Sequence, residues 1–170
     1  SYNSNTGRSY LYYGGDPMNN IADVVMNGIS SQSEFGISVS TAGDMNGDGF
    51  SDVIVGADGF FNLKGKAFIF LGASVMDNVI DATFTGDSIY SYIGNSVACA
   101  GDLNGDGYSD VIVGNSTHLN SNLGRGEAYI FFGGSLIDNV KDVTLTGETY
   151  NSYFGYSVSS AGDFNSDGFS

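Results

Sequence analysis

AGDMNGDGFSDVIVG (residues 42–56) returns as AGDLNGDGYSDVIVG (residues 100–114) and, cut short, as AGDFNSDGFS (residues 161–170). In each copy an acidic loop of pattern D-x-N-x-D-G-x-x-D follows an apolar stretch, and in the two full copies it leads into another. Calcium takes about six to eight hard oxygen ligands, and a short loop supplies them by turning alternate side chains inward. In the first copy Asp44, Asn46 and Asp48 offer side-chain oxygens at loop positions one, three and five. Phe50 offers its backbone carbonyl at seven and Asp52 closes the set at nine, with Gly49 at the sharp bend, where a Cβ would obstruct. The second copy repeats the set as Asp102, Asn104, Asp106, the Tyr108 carbonyl and Asp110, with Gly107 at the bend. The third has Asp163, Asn165, Asp167, Phe169 and Gly168 and stops one residue before its closing ligand. The sequence therefore predicts two complete Ca2+ sites and one incomplete site at the C-terminus.

Two other readings compete. Asp, Asn and Gly cluster in turns for their own reasons, but three copies in one register exceed what turn chemistry requires. An EF-hand or dockerin-like loop starts alike, yet the EF-hand needs a bidentate acid at position twelve, where this chain has Val55 and Val113. The residues DVIVG that follow are β-branched and apolar, so the loop exits into a strand.

The chain of 170 residues has 26 glycines, 12 Phe and 11 Tyr against one proline, which describes many short strands joined by tight turns, with no evident helix. Its formal charge of −14 is less extreme once apportioned, since eight of the 19 acidic residues lie in the proposed loops. Three bound Ca2+ ions would leave a charge of about −8. With five Lys plus Arg and no basic cluster, a footprint for nucleic acid is lacking and an anionic membrane surface is unfavourable. No apolar run approaches the ~20 residues of a membrane span. No signal peptide is visible and the chain starts at Ser1 without Met, so a processed or excised segment is expected. The acidic, lysine-poor, calcium-using character predicts an extracellular, secreted or cell-surface setting, where calcium is plentiful.

The blocks around the loop keep its register. GRSYLYYGG (7–15) recurs as GKAFIFLGA (65–73) and GEAYIFFGG (126–134). Alternating segments IADVVMNG (21–28), IDATFTGD (80–87) and KDVTLTGE (141–148) read as half-buried strands. SEFGISVSTAGD (33–44), SYIGNSVACAGD (91–102) and SYFGYSVSSAGD (152–163) lead into the loops. Gly28, Gly86 and Gly147 stand 58 and 61 residues apart, so one three-residue insertion, in NSTHLNSNLGR (115–125), explains the difference. Insertions confined to one loop suggest a face free to vary. Each repeat of about 60 residues holds four short strands, the content of one β-propeller blade. The expected fold is all-β: blades of four antiparallel strands with calcium-binding hairpin loops, incomplete as a closed propeller. Residues 1–33 would be the second half of a blade, 34–91 and 92–152 complete repeats, and 153–170 the start of a further one.

The combination F-G-x-S-V, then A-G-D-x-N-G-D-G-x-x-D-V-I-V-G-A and G-K-A-F-I-F, resembles the FG-GAP repeat of integrin α-subunit β-propellers and their bacterial relatives. The resemblance implies one blade per repeat, with calcium held between the first two strands by Asp44, Asn46, Asp48 and Asp52 and their equivalents at 102–110. The third loop matches from Asp163 to Phe169. Three departures stand out. The family's propellers usually close with about seven blades, which this chain cannot supply, so it is expected to be a fragment of a longer repeat protein or a subunit completed by other copies. Ile93 replaces the aromatic of F-G. Ser166 replaces the glycine at loop position four, which is expected to weaken the third site.

The expected function is that of a calcium-stabilised extracellular scaffold for adhesion or recognition, its partners being other blades of the same or another copy and a protein or glycan ligand. One alternative is a structural subunit of a surface fibre or ring assembled blade to blade. Another is the propeller portion of a secreted hydrolase or lyase whose catalytic domain lies elsewhere. No catalytic group is expected in the chain itself, because metal binding explains the acidic clusters better than paired general acid and base.

The remaining candidates receive plainer readings. Cys99 aligns with Thr41 and Ser160 and is expected to be a small buried strand residue. His118 sits on the inserted loop with no evident partner. Arg125-Gly126-Glu127 only superficially resembles an adhesion tripeptide, since its acid is Glu and Gly126 starts a strand. Asn115-Ser116-Thr117 is an N-x-S/T sequon where a loop begins, open to glycosylation in a secreted protein. The tyrosines of 10–13, 90–92 and 150–156 and Tyr129 could stack on sugars, although alternating aromatics in a propeller usually serve packing.

Overall fold

The computed structural model describes residues 5–17, 19–116 and 124–170. Two strands, β1 (Arg8–Leu11) and β2 (Val24–Asn27), make a small antiparallel sheet. β3 (Ser38–Gly43), β4 (Asp52–Ala57), β5 (Lys66–Phe70) and β6 (Ala82–Thr85) follow as a four-stranded antiparallel meander. β7 (Ile93–Gly101), β8 (Asp110–Asn115), β9 (Glu127–Phe131) and β10 (Val143–Thr146) repeat that meander. Each full sheet has an acidic loop between its first two strands, and the three sheets do not close into a barrel. The chain is thus all-β, an open run of propeller-type blades, with one helical turn, α1 (Phe60–Leu63), that the sequence reading did not anticipate.

The continuous apolar character of β4 and β5 follows from burial on both faces, because successive side chains of a strand point to opposite sides. Ile54, Ala67, Ile69 and Phe84 face the third sheet, where they meet Ile93, Val97, Val111, Val113 and Phe131. Val55, Ala57, Phe68 and Phe70 face the first sheet and meet Val24, Met26 and Phe35. The Phe84 and Phe131 rings stack at 3.7 Å between centroids, across two blades. Phe35 tilts onto Phe68 at 5.6 Å and meets Phe70 edge-on at 6.2 Å. Burying each such ring contributes about 2–3 kcal/mol, so the faces between sheets are where the fold gains its stability.

Glycine sets how closely the sheets approach. A Cβ on Gly56 would stand 1.9 Å from the Gly94 carbonyl oxygen, and one on Gly114 would stand 2.0 Å from that of Gly155. The F-G and V-G parts of the repeat are therefore two sides of one joint between blades. Parallel bridges Gly7 to Phe35, Gly65 to Ile93 and Gly126 to Phe154 repeat the joint at each step. Ile93 is fully buried there, in the place of the phenylalanine.

Acidic residues outside the loops also serve the fold. Asp23, Asp81 and Asp142 accept the N–H of Tyr13, Leu71 and Phe132, at 2.6, 2.7 and 2.8 Å, and so tie each third strand's exit to the start of the fourth.

Several expectations change. SYFGYSVSSAGD (152–163) forms no strand, since no antiparallel partner lies beside it. It is held instead by Asn95 Nδ2 donating to the Tyr156 carbonyl (2.9 Å) and by the Val158 N–H donating to Ser96 Oγ (3.1 Å). Cys99 is half-buried rather than buried. Its Sγ accepts the Gly101 N–H at 3.4 Å, the turn role that Thr41 Oγ1 has for Gly43 and Ser160 Oγ for Gly162. Residues 1–4, Met18 and 117–123 lie outside the described residues, and with them His118 and Thr117.

Candidate metal centre

Each acidic loop is folded by its own aspartates. Asp44 Oδ1 accepts the N–H groups of Gly47 (2.8 Å) and Asp48 (3.0 Å), and Oδ2 accepts that of Gly49 (2.9 Å). Asn46 Oδ1 accepts the Asp48 N–H (3.0 Å), while its Nδ2 donates to Asp48 Oδ2 (2.8 Å). Asp48 Oδ1 accepts the N–H of Phe50 (2.9 Å). The second loop repeats this pattern: Asp102 accepts Gly105, Asp106 and Gly107, Asn104 bonds Asp106, and Asp106 accepts Tyr108. The third repeats it through Asp163, Asn165, Asp167 and Phe169, with one loss. The N–H at position four, which bonds the first aspartate in the other loops, makes no such bond at Ser166 among the described hydrogen bonds.

The closing aspartates stand apart. Asp52 is 1% exposed, and its oxygens accept the N–H of Met45 (2.8 Å) and of Gly72 (2.7 Å). Asp110, 0% exposed, does the same for Leu103 (2.7 Å) and Gly133 (2.9 Å). Each therefore ties the loop to the end of the third strand of its own sheet. Burial pushes the Asp52 carboxyl above the ordinary carboxylate range, the two amides pull it back, and the like charges of Asp48 and Asp44 push it up again. Asp110 is raised by the same causes, with Asp106 and Asp102 as its neighbours. The charges that act on these buried acids are thus of their own sign.

The donor set is one of hard oxygens with uncompensated negative charge, which fits calcium and not a softer metal. Among the described residues no three His, Cys, Asp or Glu side chains are gathered closely enough to hold a metal by themselves. An ion here would be gathered by these carboxylates together with the amide and carbonyl oxygens beside them. The holders Gly72 and Gly133 escaped the sequence reading, although their 61-residue spacing, that of the blocks around them, was the available signal.

Other candidates resolve by burial. Asn115 ends β8 at 2% exposed, and its Nδ2 donates to Glu127 Oε2 (3.1 Å) and to the Tyr129 hydroxyl (2.7 Å). In the folded chain that amide is not open to an oligosaccharide. The same network engages Glu127 within β9, which removes the tripeptide resemblance. Tyr129 is buried as a packing residue, and burial with the Glu127 carboxylate raises its hydroxyl pKa. Tyr10, Tyr12 and Tyr13 are exposed and line a groove of about 830 Å³ between β1 and the β3–β4 hairpin.

The FG-GAP repeat profile matches residues 35–70 and 94–131, the two stretches that each run from the F-G joint through the acidic loop to the third strand. Residues 35–70 and 94–131 are two FG-GAP repeats. It is 36% identical to mouse integrin alpha-7 over 145 residues, 82% of this chain and 12% of that protein. It is 34% identical to Xenopus laevis integrin alpha-5 over 114 residues, 64% of this chain and 11% of that protein. Against mouse integrin alpha-IIb the identity is 31% over 156 residues, 85% of this chain and 15% of that protein. The chain thus spans less than a sixth of the length of these relatives. Among the described residues no helix is long and apolar enough to cross a membrane.

Proposed function

We propose that these FG-GAP repeats form a calcium-stabilised extracellular scaffold for adhesion to, or recognition of, a protein or glycan. The observation that carries the reading is the same oxygen-donor loop in three registers, its closing aspartates buried among like charges. Asp44, Asn46, Asp48, Asp52 and the Phe50 carbonyl would hold one ion, with Asp102, Asn104, Asp106, Asp110 and the Tyr108 carbonyl holding a second. Asp163, Asn165, Asp167 and the Phe169 carbonyl would contribute to a third. Bound Ca2+ supplies the positive charge that these loops lack. The loops clamp the first hairpin of each blade, the sheets stack through Gly56 and Gly114, and exposed groups such as Tyr10, Tyr12 and Tyr13 remain for a ligand. The integrin alpha relatives support an extracellular, protein-facing role.

Thermal unfolding in calcium and in chelator tests this. Each site should add about 2.7 kcal/mol at a hundredfold excess over Kd. Asp48→Ala and Asp106→Ala should each remove one increment. A calcium shift that survives in the double variant would overturn the assignment.

A further inference from the structure

The acidic loops are not isolated on their blades; each later loop lies on the one before. The ring of Tyr108, position seven of the second loop, covers Gly47, position four of the first. A Cβ built on Gly47 would stand 2.7 Å from Tyr108 Cε1. Phe169 covers Gly105 in the same way, with its Cε1 2.6 Å from the site of a Cβ. The residue after each ring is a serine that grips the first ligand of the preceding loop. The Ser109 N–H donates to the Asp44 carbonyl (3.0 Å), and Ser109 Oγ accepts the Asp44 N–H (3.1 Å). The Ser170 N–H donates to the Asp102 carbonyl (3.3 Å). Gly134 of the second full blade adds a bond to the Met45 carbonyl (2.7 Å).

We propose that the loops take up calcium as a coupled line, with Tyr108–Ser109 positioning the first loop and Phe169–Ser170 the second. The inference rests on the calcium reading above. Position seven gives only its backbone carbonyl to its own loop, so its side chain is free to serve the neighbour. Fixing the Tyr108 carbonyl also fixes the ring on Gly47 and the serine on Asp44. The first loop then has less conformational freedom left to lose when it closes. Linkage makes the effect reciprocal, so the first loop must strengthen the second by the same factor. At Ser166 a side chain stands where Gly47 and Gly105 are bare, so the third loop has no seat for a further ring.

The test is a calcium titration of the isotope-labelled chain by NMR, with the Gly49 and Gly107 amides as reporters of the first and second loops. Asp106→Ala should weaken the first loop and Asp48→Ala the second, by one shared factor of about fivefold or more. Tyr108→Ala keeps the backbone ligand but should bring the first loop to its affinity in Asp106→Ala. Tyr108→Phe should restore the wild-type value. Calcium binding at both loops with no effect of either on the other would overturn the coupling and leave the calcium reading intact. No calcium response at either loop would overturn both. Amide exchange in chelator reads the contact without metal: Tyr108→Ala should speed exchange at Gly47 and Asp48, and unchanged rates would count against the proposal.

Discussion

The first and third loops have nearly the same internal hydrogen bonds and very different surroundings. In the first, Met45 at position two is 0% exposed, sealed between blades beside Val111 and Phe131. In the third, Phe164 at that position is 87% exposed. Asp52 anchors the first loop to Gly72, whereas the third has no such anchor within the chain. Gly47 seats the ring of the next loop, whereas Ser166 carries a side chain at the equivalent position. The Asp and Asn side chains therefore shape the loop on their own, while its burial comes from the next blade and its anchorage from the closing aspartate.

Three substitutions in the inner loops, with Phe164→Ala in the outer loop as the counterpart of Met45→Ala, test that contrast. Asp52→Ala removes the anchor and leaves the buried amides of Met45 and Gly72 without acceptors, at about 1–3 kcal/mol each. Denaturant unfolding in chelator should show a loss of about 4 kcal/mol, and a loss under 1 kcal/mol would mean that the anchor is dispensable. Met45→Ala opens a void between blades and should cost about 3 kcal/mol. Phe164→Ala should stay within about 0.5 kcal/mol of wild type. Equal costs at the two positions would erase the contrast. Gly105→Ser writes the third loop's residue into the second, where its Cβ meets the Phe169 ring. It should cost about 2 kcal/mol by crowding and left-handed strain together, Gly105 having φ 76°. A urea titration of each variant in chelator reads these losses.

Much of this was legible in the sequence because it is local or periodic. The loop's ligand order, the apolar β-branched run DVIVG that follows it, the alternation of segments such as IDATFTGD, and the 58- and 61-residue registers all point to blade content. What escaped depends on residues brought together from elsewhere. Asn115 reads as an exposed sequon, but Glu127 and Tyr129, 12 and 14 residues on, bury and bind it. The stretch 152–163 has the composition of a strand, yet a strand exists only beside a partner. Tyr108 looked like any position-seven residue, and its seat on Gly47 lies on another blade.

The smallest expected effect compares the two full repeats at the ends of their second strands. Asp58 follows β4 where Ser116 follows β8, and Glu34 stands near it where the next repeat has Tyr92. Burial raises the Asp58 carboxyl to about 6, with the Glu34 charge adding to the rise. One of its oxygens is buried with no hydrogen-bond partner. A carboxyl whose pKa is higher folded than unfolded favours the folded state in its protonated form. Its contribution is complete below the unfolded value near 3.8 and is lost as pH rises through about 6. In chelator, wild type should therefore gain on Asp58→Asn as pH falls from about 7 to about 4. After allowance for partial solvent access the gain is about 1 kcal/mol. Urea titrations of both chains across that range would show it. A difference that is flat, or that grows with rising pH, would mean that Asp58 is no more costly to ionise in the blade than in the unfolded chain. The asymmetry between the two repeats would then be confined to their loops.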